Sequence, residues 1–405
     1  MSLQGKKLDE ITEETLQALI DDEVYESKVI DYKRELPKTR EPDDRKEFLA
    51  DIASFANASG GDLVYGMTES KGVATGFSGM NIDNADMTKR HLTEIANSGI
   101  TPQIYGLDVS DPISIKTGGQ VLIVRIPQSW NKPHMVTYQL KDHNRFYART
   151  AAGKYPLDVG ELRQLFTLSE TLGERIRAFR AERIGNILAD DTPIPLEEGP
   201  KVVLHVMPYS AFEIGRSLDI SSLFEPQTTS GPVSTTDCIE RTFNLDGVLA
   251  LKPYNTEELY TQIFRNGCVE YCQGKFERRD DENNSAIWPQ HIEKLIVRKL
   301  PDVVKLLRTM DVTAPITLGL ALLNAEKAVI ASPEYAFFGQ HLQDREKFKK
   351  QVVQIPEIII EHLDELETEN ESAKTMKPIF DILYQAGGIK GSYSYDEDGN
   401  WNPRR

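Results

Sequence analysis

The sequence predicts an α+β protein made of two domains. Its 405 residues are long for one hydrophobic core. Strand-like and helix-like apolar runs are interspersed along both halves. Thr192-Pro193-Ile194-Pro195, followed by Gly199-Pro200, punctuates the chain near its middle, as a linker does. The predicted division is a first domain over 1–168, a connecting helix and linker over 169–200, and a second domain over 201–405.

Taken in order, Thr12 to Ile20 reads as a short amphipathic helix with Leu16, Leu19 and Ile20 on one face. Val29 to Tyr32 reads as a strand, and Pro37 and Pro42 bracket a loop. Six bases (Lys33, Arg34, Lys38, Arg40, Arg45, Lys46) lie in this region, interleaved with four acids. A solvated surface loop explains such a run as well as a ligand does. Asp43 to Asn57 carries Phe48, Ile52 and Phe55 at helical spacing. Asn57, Gly60 and Gly61 then suit a helix end, which accounts for the glycines without a ligand. Asp62 to Met67, containing Gly66, and Val73 to Gly76 read as strands.

Ala85 to Asn97 reads as a helix. Ile113 to Lys116, Gly118-Gly119 and Gln120 to Ile126 give a hairpin signal, its second strand apolar enough to be central. Trp130 to His134 is a loop containing Lys132. Arg145-Phe146-Tyr147-Ala148-Arg149 is a strand with Arg145, Tyr147 and Arg149 on one face, a ladder that suits phosphate oxygens or nearby acids. Asp158 to Phe166 closes the domain as a helix.

Beyond it, Ser169 to Leu188 reads as an amphipathic helix and Lys201 to Met207 as a buried strand. Ser230 to Thr236 reads as a loop, Glu258 to Phe264 as a helix, and Ile287 to Met310 as a long helix possibly broken at Pro301. Ile316 to Leu323 reads as a strand and Asp344 to Glu369 as mainly helical. The stretch after Gly387 looks frayed. This acidic half shows no repeat and no catalytic constellation, and reads as a sensor, oligomerisation or partner module.

Composition is ordinary for a globular protein: 40% hydrophobic, 27% charged. The net charge of −16 argues against a chain coated with nucleic acid. Residues 1–168 hold 20 Lys/Arg against 25 Asp/Glu, which leaves −11 of the −16 to the remainder. A basic face in the first domain is therefore compatible with the acidic whole. Three cysteines are too few for a disulfide framework. The first residues lack the apolar core of a signal peptide, and no run approaches the ~20 apolar residues of a membrane span. A cytoplasmic protein without membrane contact is expected. Gly153-Lys154 is followed by Tyr155, so a phosphate loop of the Gly-x4-Gly-Lys-Ser/Thr type is absent.

From about Tyr25 to Leu165 the chain resembles the Schlafen/AlbA-like domain. The matching pieces are Glu26-x4-Asp31-Tyr32-Lys33, Phe55-Ala56-Asn57-x2-Gly60-Gly61-x-Leu63-Val64-Tyr65-Gly66, Gly72-Val73-x2-Gly76 and Arg145 to Arg149. The resemblance implies an α+β fold, nucleic-acid binding and, in some members, metal-dependent cleavage of structured RNA such as tRNA by three acids. Those acids fall here on Glu26, Asp31 and Glu69. The second is Asp where the family has Glu, and the third aligns on one residue only.

Under that resemblance Glu26, Asp31 and Glu69 would hold Mg²⁺ or Mn²⁺, hard cations that prefer carboxylate oxygens. Lys33 would join them as a catalytic residue, contacting the scissile phosphate or easing the build-up of charge on it. Arg34, Lys38, Arg45, Lys132, Arg145, Tyr147 and Arg149 would contact the backbone of the nucleic acid. A homodimer clamping the substrate is expected. The rival readings are a DNA- or RNA-binding regulator without chemistry, and an interaction protein that holds a nucleotide at Gly60-Gly61.

Overall fold

The computed structural model describes residues 3, 6–38, 40–138, 143–213, 215–224, 240–251, 259–274, 276–279, 285–326, 328–331, 347–396 and 398–402. The chain divides into two compact units, Met1–Thr171 and Leu172–Arg405. Both mix helices and sheets, so the α+β class holds.

The first unit contains β1 (Ile30–Lys33), β2 (Gly61–Tyr65), β3 (Met67–Ser70), β4 (Val73–Phe77), β5 (Ile100–Thr101), β6 (Asp108–Val109), β7 (Ile113–Ser114), β8 (Gln120–Ile126), β9 (Met135–Tyr138), β10 (His143–Thr150) and β11 (Gly153–Pro156). Its helices are α1 (Glu13–Asp21), α2 (Pro42–Asn57) and α3 (Ala85–Gly99). A five-stranded sheet runs β1-β2-β8-β6, with β7 also on β8. β1 and β2 are parallel; β2 and β8 are antiparallel.

β8 is apolar on both sides because both sides are covered. Leu122, Val124 and Ile126 pack with Phe48, Ile52 and Phe55 of α2. Val121 and Ile123 pack with Leu16 and Leu19 of α1. A Leu or Phe so enclosed contributes about 1.5–3 kcal/mol. A second sheet, β11-β10-β9-β5, lies beside α2, and β3-β4 forms a separate hairpin. Pro42 begins α2 rather than closing the loop before it. Its fixed φ and missing N–H suit the first helical position.

The helix α4 (Val159–Leu188) is continuous over 30 residues, where two helices were expected. Its second part belongs to the second unit. That unit holds β12 (Lys201–Pro208), β13 (Glu240–Phe243), β14 (Gly247–Leu251), β15 (Leu259–Phe264), β16 (Val269–Gln273), β17 (Arg278–Arg279), β18 (Ser285–Ile287), β19 (Ile316–Leu323), β20 (Val329–Ile330), β21 (Val352–Gln354) and β22 (Ile358–Ile360). Its further helices are α5 (Pro289–Thr309) and α6 (Glu369–Ala386). An eight-stranded antiparallel sheet runs β13-β14-β15-β16-β12-β19-β21, with β22 also on β19. Strand alternation sends Val202, Leu204 and Val206 into the core with α5 and α6. Val203 packs instead with Ile184 and Ile187 of α4.

Lys201 to Met207 and Ile316 to Leu323 are the strands expected, and α5 runs unbroken through Pro301. Three expectations fail. Glu258 to Phe264 is the strand β15 from Leu259 onward, with all six of its residues buried. Seven residues span too few helical turns to separate the two periods. The described part of Asp344 to Glu369 forms β21, β22 and a short 3₁₀ turn rather than helix, because the edge of β19 pairs both strands. The stretch after Gly387 is packed, with Ile389, Ser394 and Tyr395 buried. Ser230 to Thr236 lies outside the described residues.

Candidate nucleic-acid interface

Alternation along β1 sends Ile30 and Tyr32 toward α1, so Asp31 and Lys33 face the other way, toward α2. There α2 presents Glu47, Asp51 and Phe55, four residues apart and so on one stripe. β10 and β11 add Arg149 and Lys154, which are cross-strand partners. The result is a ladder of ion pairs. Arg149 Nη2 lies 3.0 Å from Asp31 Oδ2 and Lys33 Nζ 3.1 Å from Asp31 Oδ1. Lys33 Nζ is 3.5 Å from Asp51 Oδ2, and Lys154 Nζ 2.7 Å from Asp51 Oδ1. Lys154 also pairs with Glu47. The guanidinium of Arg149 lies 3.7 Å from the centre of the Phe55 ring, a cation–π contact.

Burial pushes the Asp31 carboxyl up, but Lys33 and Arg149 outweigh it and hold it below the usual range. Burial likewise lowers Lys33, and Asp51 and Asp31 more than offset that. Asp51, only 3% exposed, is raised by burial despite its two lysines. Glu26 accepts from the Tyr32 N–H at 3.0 Å. Its carboxyl also meets that of Asp31, and burial first, then Asp31, raise it.

The structure therefore brings together Glu26, Asp31 and Lys33 of the predicted site. Glu69 stands apart from the ladder, exposed in β3, and its Oε2 accepts from the Gly72 N–H at 2.6 Å. The same Gly72 offers its carbonyl to Glu26 N at 2.6 Å, so the β3–β4 turn is tied to both acids. Among the described residues, no group of three or more His, Cys, Asp or Glu is placed to hold a metal ion. With Asp31 already neutralised by two cations, the donor set does not fit the three-carboxylate site expected for Mg²⁺ or Mn²⁺.

The expected phosphate contacts separate into two groups. Arg34, Lys38 and Arg145 are exposed. Tyr147 is half-buried, with Arg145 and Glu47 both acting on its hydroxyl. Arg149, by contrast, is 6% exposed and paired with Asp31. Lys132 is 5% exposed, with its Nζ 5.3 Å from the centre of the Trp130 ring. Arg45 donates to Ser98 Oγ at 3.2 Å, joining α2 to α3.

Asn57 ties α2 to the second sheet. Its Nδ2 donates to the carbonyls of His134 (2.9 Å) and Tyr147 (2.8 Å), and its Oδ1 accepts from His134 N at 2.7 Å. Gly60 has φ +69°, and a Cβ there would stand 2.5 Å from Gln128 N. Gly66, at φ +95°, would meet Gln120 O at 2.5 Å. Protein backbone fills the space against Gly60, and its N–H donates to the Phe55 carbonyl at 2.9 Å, as at a helix end. Asp51, Glu47 and Lys154 went unread in the sequence. The available signal was Asp51, a lone charge within the apolar stripe Phe48, Ile52, Phe55.

No curated protein matches the chain. Among solved structures it is similar to the DIP2311 protein from Corynebacterium diphtheriae, at 18% identity and a TM-score of 0.25, over 35% of this chain and 26% of that one. The chain thus spans about a quarter of that protein's length, and a likeness of this size carries no argument. The family model "Schlafen, AlbA_2" matches residues 26–158. That span opens on Glu26 and takes in β1, α2, the glycine turn and the whole Arg145–Arg149 strand. The match to the Schlafen/AlbA_2 family thus lies within the first unit, over residues 26–158, and leaves the second unit uncovered.

Proposed function

We propose that the first unit binds the phosphate backbone of nucleic acid as a regulator, without cleaving it and without a divalent ion. One observation carries this: Asp31 is paired with Lys33 and Arg149, so the acid expected to hold a metal is a structural tie. Arg34, Lys38 and Arg145 are exposed and supply the long-range attraction. Tyr147 beside Arg145 adds an aromatic ring against sugar or base. Backbone contacts of this type position a ligand without reading its sequence. Structured RNA is the preferred ligand, and a homodimer would present the basic surface twice.

Metal-assisted RNA cleavage draws on the meeting of Glu26 with Asp31. It would require Asp31 to leave two cations. The test is full-length protein mixed with labelled hairpin RNA or duplex DNA, in EDTA or in Mn²⁺. We expect salt-sensitive binding, stronger for RNA, equal in EDTA and Mn²⁺, with the strands left intact. Asp31→Asn should keep binding. Strand scission that needs Mn²⁺ and disappears in Asp31→Asn would replace the proposal with the nuclease.

A further inference from the structure

The second unit buries a carboxyl in the core between its sheet and its helices. Glu293 of α5 is fully buried. Neither of its oxygens has a well-formed hydrogen-bond partner among the described residues. Beside it lies the described part of the segment after α6, Gly388–Asp396 and Asp398–Asn402, which packs onto the α5–α6 core. Ser392 N–H donates to Asp381 Oδ1 at 2.9 Å, and Tyr395 OH to the Ala373 carbonyl at 2.6 Å. Asn402 N–H donates to Ser394 O at 2.6 Å. Ile389, Ser394 and Tyr395 are buried by this packing.

We propose that Glu293 is a proton-controlled latch: its neutral carboxyl lets the segment Gly388–Asp396 lie closed, and its ionisation loosens that segment. An ionised carboxylate without full hydrogen bonding is costly in a core, and a neutral one is much less so. The groups acting on it come from both packed elements. From α6, Asp381 repels the charged form and Lys377 favours it. Lys377 is itself bound to Asp381 at 2.7 Å. From the segment, the Ser392 and Ser394 hydroxyls favour the charged form. Tyr384 and Tyr395 are buried in the same core, and the Glu293 charge adds to burial in raising both phenols.

Burial dominates and lifts the carboxyl from 4.5 to about 7. Opening the segment returns Glu293 to water and its ordinary value. Between these two values the closed form holds a proton that the open form has released. Closure therefore weakens as pH rises from 4.5 and levels off above about 7. The opening equilibrium should grow roughly 50- to 100-fold between about pH 5 and 8.

Hydrogen exchange on the full-length protein, corrected for intrinsic rates, reads this opening directly. In the wild type, amides of 388–396 should lose protection by that factor over that range, while β12 and β19 do not. Glu293→Gln, which cannot ionise, should show no such change. Asp381→Asn removes a repelling charge, so its levelling-off should come at lower pH. A wild type without pH dependence would overturn the latch, as would equal dependence in Glu293→Gln. Should that variant not fold, Asp381→Asn decides: a lower levelling-off supports the latch and an unmoved one refutes it.

Discussion

Each unit centres a buried carboxylate on at least one cation, but only one of the two clusters has an outlet. In the first unit, Asp31 takes Lys33 and Arg149, and the ladder continues through Asp51 and Lys154 to Glu47. The Glu47 side chain is 63% exposed. In the second, Glu270 takes both ends of the Arg183 guanidinium at 3.0 Å, His205 Nε2 at 2.9 Å and Tyr260 OH at 2.8 Å. All four residues are buried, and Arg183 reaches in from α4. Burial would raise Glu270, yet His205 and Arg183 hold it down to about 2. A sealed cluster of this kind can only fasten α4 to its sheet. A cluster that ends in water can exchange partners with a charged ligand.

The largest expected effect is on the sealed side. Glu270→Gln strands the Arg183 charge in the interior and should cost the second unit about 3–5 kcal/mol in denaturant unfolding. The double variant Glu270→Gln/Arg183→Met should recover much of that. Asp31→Asn should cost less, about 1–3 kcal/mol, because Lys33 can turn to water while Arg149 still stacks on Phe55. Equal losses would erase the distinction between the clusters.

Acid sharpens the comparison. The folded value of Glu270 lies below its ordinary 4.5. Its stabilisation is therefore complete above that pH and is lost as pH falls from 4.5 through about 2. Asp31, lowered from 3.8, starts to lose its share only below that value. Acid titration followed by a probe in each unit should show loss beginning at higher pH in the second. The smallest stability effect is expected at the surface: Arg34→Ala, Lys38→Ala and Arg145→Ala should each stay within about 0.5 kcal/mol of wild type.

Much of the first unit was legible because its turns demand particular residues. Gly60 and Gly66 adopt positive φ against backbone, and Asn57 joins three backbone groups. Motifs fixed by geometry survive in sequence. The pairing of Asp31 with Lys33 and Arg149 was not legible, because residue type does not say who else claims a carboxylate. Arg149 lies 118 positions beyond Asp31, and its side of β10 was legible while its burial was not. In the second unit β15 was taken for helix because both faces of that sheet are covered, which leaves no alternation to read. Glu270 and Arg183 lie 87 positions apart and carry no local signal.

The most direct test of the account is the salt dependence of hairpin-RNA binding in EDTA, wild type against the triple variant Arg34→Ala/Lys38→Ala/Arg145→Ala. If these side chains meet phosphates, the slope of log K on log salt should shrink by about 1 for each, about 3 in all. An unchanged slope in the triple variant, or no binding by the wild type even at low salt, would contradict it.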